Sequence, residues 1–159
     1  MSESSGSSPI VRVARAADLA AYIGVDLRPS GWRVVTQDEV DRFVALTGDA
    51  NWIHTDVARA ARDLDGGRTV VPGQLLLALV PALLQEVCIV ASGAGSHEAG
   101  LRAVRFRHAV HPGDAVRLRA RLTLVARRPR FVQVDASCDL ELASGQRVLT
   151  SRRTDVFFE

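Results

Sequence analysis

"VVPGQLLLALVPALLQEVCIVA", Val70 to Ala91, is the most apolar run of the chain, and its reading decides the architecture. Pro72, Gln74, Pro81, Gln85 and Glu86 interrupt it, whereas a membrane span needs about 20 predominantly apolar residues in a row. The run reads instead as a buried core helix from Gly73 to Val90. Pro72 stands just ahead of it, where a missing N–H would have had no intrahelical partner anyway.

Downstream, the period changes. "ASGAGSHEAG" reads as a flexible break. From Leu101 onward "VRFRHAVH", "DAVRLRARLTLVA", "RFVQVDASCDLEL" and "QRVLTSRRTDVFF" alternate apolar and polar residues between "PGD", "RRP" and "ASGQ" turns. Such alternation predicts a meander of antiparallel strands with one covered face. One long buried helix plus that sheet is an α+β layer fold, the sheet wrapping its apolar face over the helix.

Upstream, Ala14 to Ile23 predicts a short Ala-rich helix, and "RPSGW" a turn into a brief strand at Trp32 to Val35. In "TQDEVDRFVALTG", Thr36 and Glu39 fit a capping box. Val40, Phe43, Val44 and Thr47 then share one helical face, and Gly48 supplies the left-handed stop. After the loop that follows, "TDVARAARDL" has room for one or two helical turns before the "DLDGGRT" break.

At 159 residues the chain suits one domain, expected over residues 11–159 behind a frayed Ser/Gly-rich tail at 1–10 that lacks the pattern of a signal peptide. Hydrophobic residues at 47% and charged residues at 24% speak against both disorder and a membrane protein. The net charge of +2 gives no reason to expect a nucleic-acid partner. Cys88 and Cys138 form no CxxC-type pair, which points to free thiols in a reduced, cytoplasmic protein. His97, His108 and His111 have no Cys or carboxylate at ligand spacing, so no metal site is expected.

The chemistry-bearing stretch is "LTGDANWIHTD", Leu46 to Asp56. Asp49 and His54 are five apart, which misses the helical i, i+4 register, so they meet only if the loop bends. An imidazole takes a proton near neutral pH, and a neighbouring carboxylate can orient it or act as its complementary acid. Asn51 could tie the loop to backbone groups, and Trp52 and Ile53 would bury its inner side. The plainer alternative is a helix C-cap followed by an Asx-turn, with a structural histidine.

"FVALTGDANWIHTD" resembles the signature of the MaoC-like dehydratases, the (R)-specific enoyl-CoA hydratases, and its "WIH" is similar to the nodulation-protein-N-like branch. "VPGQLLLALVPALLQ" resembles that family's central helix. The resemblance implies a hot dog fold, usually paired as a homodimer, acting without a cofactor on an acyl-CoA thioester. Position by position, it implies Asp49 and His54 as the catalytic pair, Asn51 as their support, and Gly73 as the donor of a backbone N–H to the thioester oxygen. Where the family has His-Gly and a bulky apolar residue, this chain has Pro72, Gly73 and Gln74, a departure that bears on the substrate pocket.

Two other activities fit a hot dog chain: thioester cleavage by a single carboxylate, and non-catalytic acyl binding. Arg117, Arg119 and Arg121 alternate along one strand and Arg105 and Arg107 along another. They read first as a solvated outer face, and second, together with Arg127, Arg128 and Arg130, as candidates for the CoA phosphates.

Overall fold

The computed structural model describes residues 8–92 and 95–158. Of the tail expected at 1–10, residues 1–7 lie outside this range. Pro9 is anchored, its carbonyl accepting from the Arg28 N–H at 2.9 Å.

The chain opens with β1 (Val11–Val13), a 3-10 helix over Ala16–Tyr22 within the short helix expected at Ala14 to Ile23, and β2 (Arg33–Val34). Then come α1 (Gln37–Thr47), a short 3-10 turn at Trp52–His54, α2 (Val57–Asp63) and α3 (Gly73–Gln85). The remaining strands are β3 (Cys88–Val90), β4 (Ser96–Phe106), β5 (Ala115–Arg127), β6 (Val132–Leu142) and β7 (Arg147–Phe157). Four of them and β2 form one antiparallel sheet in the order β2-β5-β6-β7-β4.

α3 lies in the hollow of that sheet. Leu76, Val80 and Leu83 recur at helical spacing and are buried, in one core with Leu118, Leu122, Leu140 and Leu149 of the strands. A helix wrapped by an antiparallel sheet is the hot dog arrangement expected above. No helix of the described residues is long and apolar enough to cross a membrane.

Two boundaries and one strand position differ from the sequence reading. α3 ends at Gln85 rather than Val90, because Cys88–Val90 forms a parallel ladder with Val11–Val13. A remote partner thus overrides local helix propensity. β4 starts at Ser96 rather than Leu101: "SHEAG", loop-like in composition, pairs with β7 from Ser96↔Phe157 onward. β4 also crosses to the far edge beside β7, so only β5, β6 and β7 form a true meander.

The sheet's outer face is a polar lattice. Arg117 and Arg119 both hold the buried Glu141 carboxylate, at 2.7 and 2.8 Å, and Arg117 lies over the Trp32 ring at 4.4 Å. Arg121 binds the Gly24 carbonyl at 2.6 Å. These three arginines therefore occupy the outer face in intramolecular pairs. Burial alone would push the Glu141 carboxyl up, but the hydrogen bonds from Arg119 and Arg117 outweigh it and hold it below the usual range. A carboxyl lowered in the folded state stabilises above its unfolded pKa, and that contribution fades as pH falls through the folded value. Glu141→Gln is expected to cost about 1–2 kcal/mol at pH 7, at the low end because water screens the half-exposed Arg119. The difference from the parent in thermal unfolding should shrink as the pH is taken down to about 3; a pH-independent difference refutes the charge-based account.

Candidate active site

α1 delivers the loop. Its capping box forms as the sequence dictates, Thr36 Oγ1 accepting from the Glu39 N–H and Glu39 from the Thr36 N–H. Gly48 ends it in the left-handed region at φ 71°, a conformation glycine adopts without steric cost. The backbone then turns back on itself. Asp49 Oδ1 accepts from the Asn51 N–H at 3.0 Å, and Asn51 Oδ1 caps the short 3-10 turn by accepting from the Ile53 N–H. That turn presents the His54 ring inward.

Asp49 and His54 converge: Asp49 Oδ2 lies 3.7 Å from His54 Nε2. The imidazole is buried, whereas the carboxylate is 44% exposed. On the other side of the ring, Nδ1 lies 2.6 Å from the Val70 carbonyl. A carbonyl can only accept, so the neutral ring carries its proton on Nδ1 and leaves the Nε2 lone pair facing Asp49. Asn51 supports this geometry through the backbone of the turn.

A further layer was not legible in the sequence. Gln37, the first residue of α1, donates to the His54 carbonyl at 2.8 Å and accepts from the Thr69 hydroxyl at 2.6 Å. The Thr69 carbonyl in turn accepts from His111 Nδ1 at 2.8 Å, and the Val70 N–H donates to the Ile53 carbonyl at 2.9 Å. The segment 69–71 is thus clamped between α1, the histidine turn and the connection after β4, where the Val110 carbonyl accepts from the Val71 N–H. No local pattern marks Gln37, Thr69 or Val70, because their roles depend on partners far away in sequence.

His54 forms part of the wall of a cavity of about 370 Å³ that reaches Gly73, Gln74, Leu76, Phe106, Arg107 and Val110. Gly73 and Gln74 head α3, where the first N–H groups have no intrahelical acceptor; the Pro72 carbonyl takes the Leu75 and Leu76 N–H groups. The end of the helix dipole there favours negative charge. Gly73 also admits the Phe106 ring: a Cβ at this position would stand 2.7 Å from it. Gln74 is exposed and lies along the same wall. Of the five alternating arginines, Arg107 alone lines this cavity; Arg105 donates to the Val104 carbonyl. Asp49 lies outside the wall, on the solvent side of the histidine. This arrangement can hold a small polar molecule between an imidazole lone pair and a carboxyl, beside unpaired backbone donors.

Several known proteins resemble this chain in sequence or fold. A 3-hydroxyacyl-thioester dehydratase Z from Mycobacterium tuberculosis is 41% identical over 101 residues, which cover 64% of this chain and 66% of the relative, just under two thirds of its length. Among solved structures, the (R)-hydratase from A. caviae involved in PHA biosynthesis superimposes with a TM-score of 0.68 at 26% identity, covering 84% of this chain and 94% of that one. The unliganded R-hydratase PhaJ1 from Pseudomonas aeruginosa reaches a TM-score of 0.73 at 21% identity, covering 92% and 86%. A family profile described as MaoC like domain matches residues 18–140, which include Asp49, Asn51, His54, Gly73 and Gln74. The chain belongs to the MaoC-like domain family.

Proposed function

We propose that the protein is an (R)-specific enoyl-CoA hydratase, equally a 3-hydroxyacyl-CoA dehydratase in reverse, with Asp49 and His54 as its acid-base pair. The observation that carries this reading is the His54 ring, whose Nδ1 is tied to the Val70 carbonyl and whose Nε2 faces Asp49 across 3.7 Å beside a cavity that begins at Gly73.

A water bridges Nε2 and the Asp49 carboxyl from one side, bonding to both. His54 removes its proton as the oxygen adds to C3 of a trans-2-enoyl thioester, and Asp49 delivers a proton to C2. Transfer of the proton from Nε2 back to the carboxyl resets the pair, so the balance is one water added. Charge that builds on the thioester oxygen is met by the N–H groups of Gly73 and Gln74, and one such donor is worth about 3 kcal/mol of barrier. No step needs a cofactor.

The acting unit is one domain over residues 11–159, paired as a homodimer in the cytoplasm. Support for pairing comes from β4, an edge strand with one neighbour in its sheet that exposes Leu101 and Phe106. Unpaired edges of this kind invite a second copy. The free thiols of Cys88 and Cys138 suit a reducing compartment.

Crotonyl-CoA tests the reading directly. Purified protein is expected to remove the enoyl absorbance without releasing thiol. Loss of absorbance with free thiol makes it a thioesterase, and no change makes it a binding module. Gln74 tunes the site: Gln74→Leu should shift the relative rates across a series of enoyl-CoA chain lengths toward longer chains. Equal relative rates in the two proteins remove Gln74 from the specificity account.

A further inference from the structure

The start of α1 does not need the side chain of its first residue. Thr36 and Glu39 close the capping box by themselves, yet the Gln37 amide is half-buried and bonded on both sides. Its nitrogen donates to the His54 carbonyl and to Asp41 Oδ1, each at 2.8 Å, and its oxygen accepts from the Thr69 hydroxyl at 2.6 Å. Both amide hydrogens are thereby used. Turned over, the amide would set its oxygen against a carbonyl and a carboxylate, two groups that only accept. Asp41 lies one helical turn on, on the same face of α1, and so fixes which way the amide points.

The amide joins two pieces of backbone that between them place the imidazole. One is the histidine turn, which carries the ring. The other is Thr69–Val71, whose Val70 carbonyl lies 2.6 Å from Nδ1. Val70 faces the turn through both its backbone groups, its N–H donating to the Ile53 carbonyl at 2.9 Å. The Thr69 carbonyl and the Val71 N–H bond instead to His111 and Val110, both at 2.8 Å. One side of this run is thus held by the connection after β4, and on the other side Gln37 ties the turn to it. Thr69 is buried, and neither it nor Gln37 lines the cavity beside His54. Any effect they have on a bound thioester therefore passes through the histidine.

We infer that Gln37 is a positioning residue for the proposed hydration: through Thr69 and the His54 carbonyl, it keeps the imidazole protonated on Nδ1 and its Nε2 lone pair aimed at the water shared with Asp49. The inference rests on the reading of His54 as the base, and it is tested in two ways, of which only one needs turnover.

The first reads the ring tautomer of His54 in the full chain by long-range proton–nitrogen NMR correlation, at a pH where the ring is neutral. The parent should show one form, with the proton on Nδ1. Gln37→Met, similar in length but without donor or acceptor, should show a mixture of the Nδ1–H and Nε2–H forms. The second is steady-state kinetics with crotonyl-CoA. Gln37→Met and Thr69→Val should each lower kcat about tenfold, as a displaced catalytic group does, and leave KM within about twofold. Thr69→Ser keeps the hydroxyl and should keep the parent's rate. Gln37→Glu still accepts from Thr69 but sets a second acceptor against the His54 carbonyl and a charge beside Asp41, and it should be as slow as Gln37→Met. Combining Gln37→Met with Thr69→Val should add little, because both cut the same link.

A parent without turnover removes the hydratase reading, and the tautomer measurement then decides by itself whether Gln37 places the ring. A His54 that stays wholly in the Nδ1–H form in Gln37→Met overturns the inference. So does a kcat within about twofold of the parent in that variant, or Thr69→Ser as slow as Thr69→Val.

Discussion

Asp49→Asn and His54→Ala are each expected to lower turnover of crotonyl-CoA at least about 100-fold, the range of general acid-base catalysis. The two substitutions probe different halves of one unit. Asn at 49 keeps an oxygen to accept from the Asn51 N–H at 3.0 Å, so the loop retains its turn while the carboxyl can no longer exchange protons. Asp49 is exposed, and the substitution should leave stability nearly untouched. Alanine at 54 removes Nε2 but also deprives the Val70 carbonyl of its donor, at a cost of about 1–3 kcal/mol. His54→Gln restores a donor for that carbonyl without restoring a base, and it should be as inactive as alanine while more stable. Combining Asp49→Asn with His54→Ala should cost little beyond either alone, because groups that act as a unit are not additive. Initial rates read beside thermal unfolding decide the matter: wild-type-like turnover in either folded single variant would falsify the pair.

The parts of this chain that the sequence revealed are those whose causes are local. The start of α1 rests on Thr36 and Glu39, three residues apart, and its end on Gly48, and both form as expected. The alternation that defines β5 to β7 is likewise written residue by residue, as is the buried stripe of α3. The errors fall where a distant partner decides. Cys88–Val90 becomes a strand because Val11–Val13 lies beside it, and Ser96–Gly100 becomes a strand because β7 offers a ladder.

The site divides along the same line. Residue type and resemblance point to Asp49 and His54, but their spacing leaves open whether they meet. Their approach depends on Gly48, the Asx turn at Asp49 and the cap at Asn51 acting in succession. The orientation of the imidazole depends on Val70, and the position of Val70 on Gln37, Thr69 and Val110, none of which carries a local signature. The ion pairs of Arg153 with Glu98 and Asp155 are hidden in the sequence for a related reason. In "QRVLTSRRTDVFF", adjacent Arg152 and Arg153 look alike, and only the register against β6 shows that Arg153 faces inward.

Gly73→Ala offers the sharpest separation between folding and function. A methyl there would stand 2.7 to 2.9 Å from three carbons of the Phe106 ring, closer than real contacts allow. The ring belongs to a side chain that is 49% exposed, so it can swing aside, and the cost in stability should stay near 1 kcal/mol. Its displacement falls on the wall of the cavity that also holds His54 and the first N–H groups of α3. A shift of about 1 Å in a positioned group can cost on the order of 100-fold in rate. Gly73→Ala is therefore expected to lose about 10- to 100-fold in kcat for crotonyl-CoA with only a small fall in Tm. Phe106→Ala in the same background removes the clash while leaving the backbone N–H where it was. If crowding by the ring is the cause, the double variant recovers most of the loss, a coupling that independent sites would not show. If the double variant is no faster than Gly73→Ala, the added methyl acts on the backbone donors themselves, and the role of Phe106 as the neighbour that requires glycine is refuted.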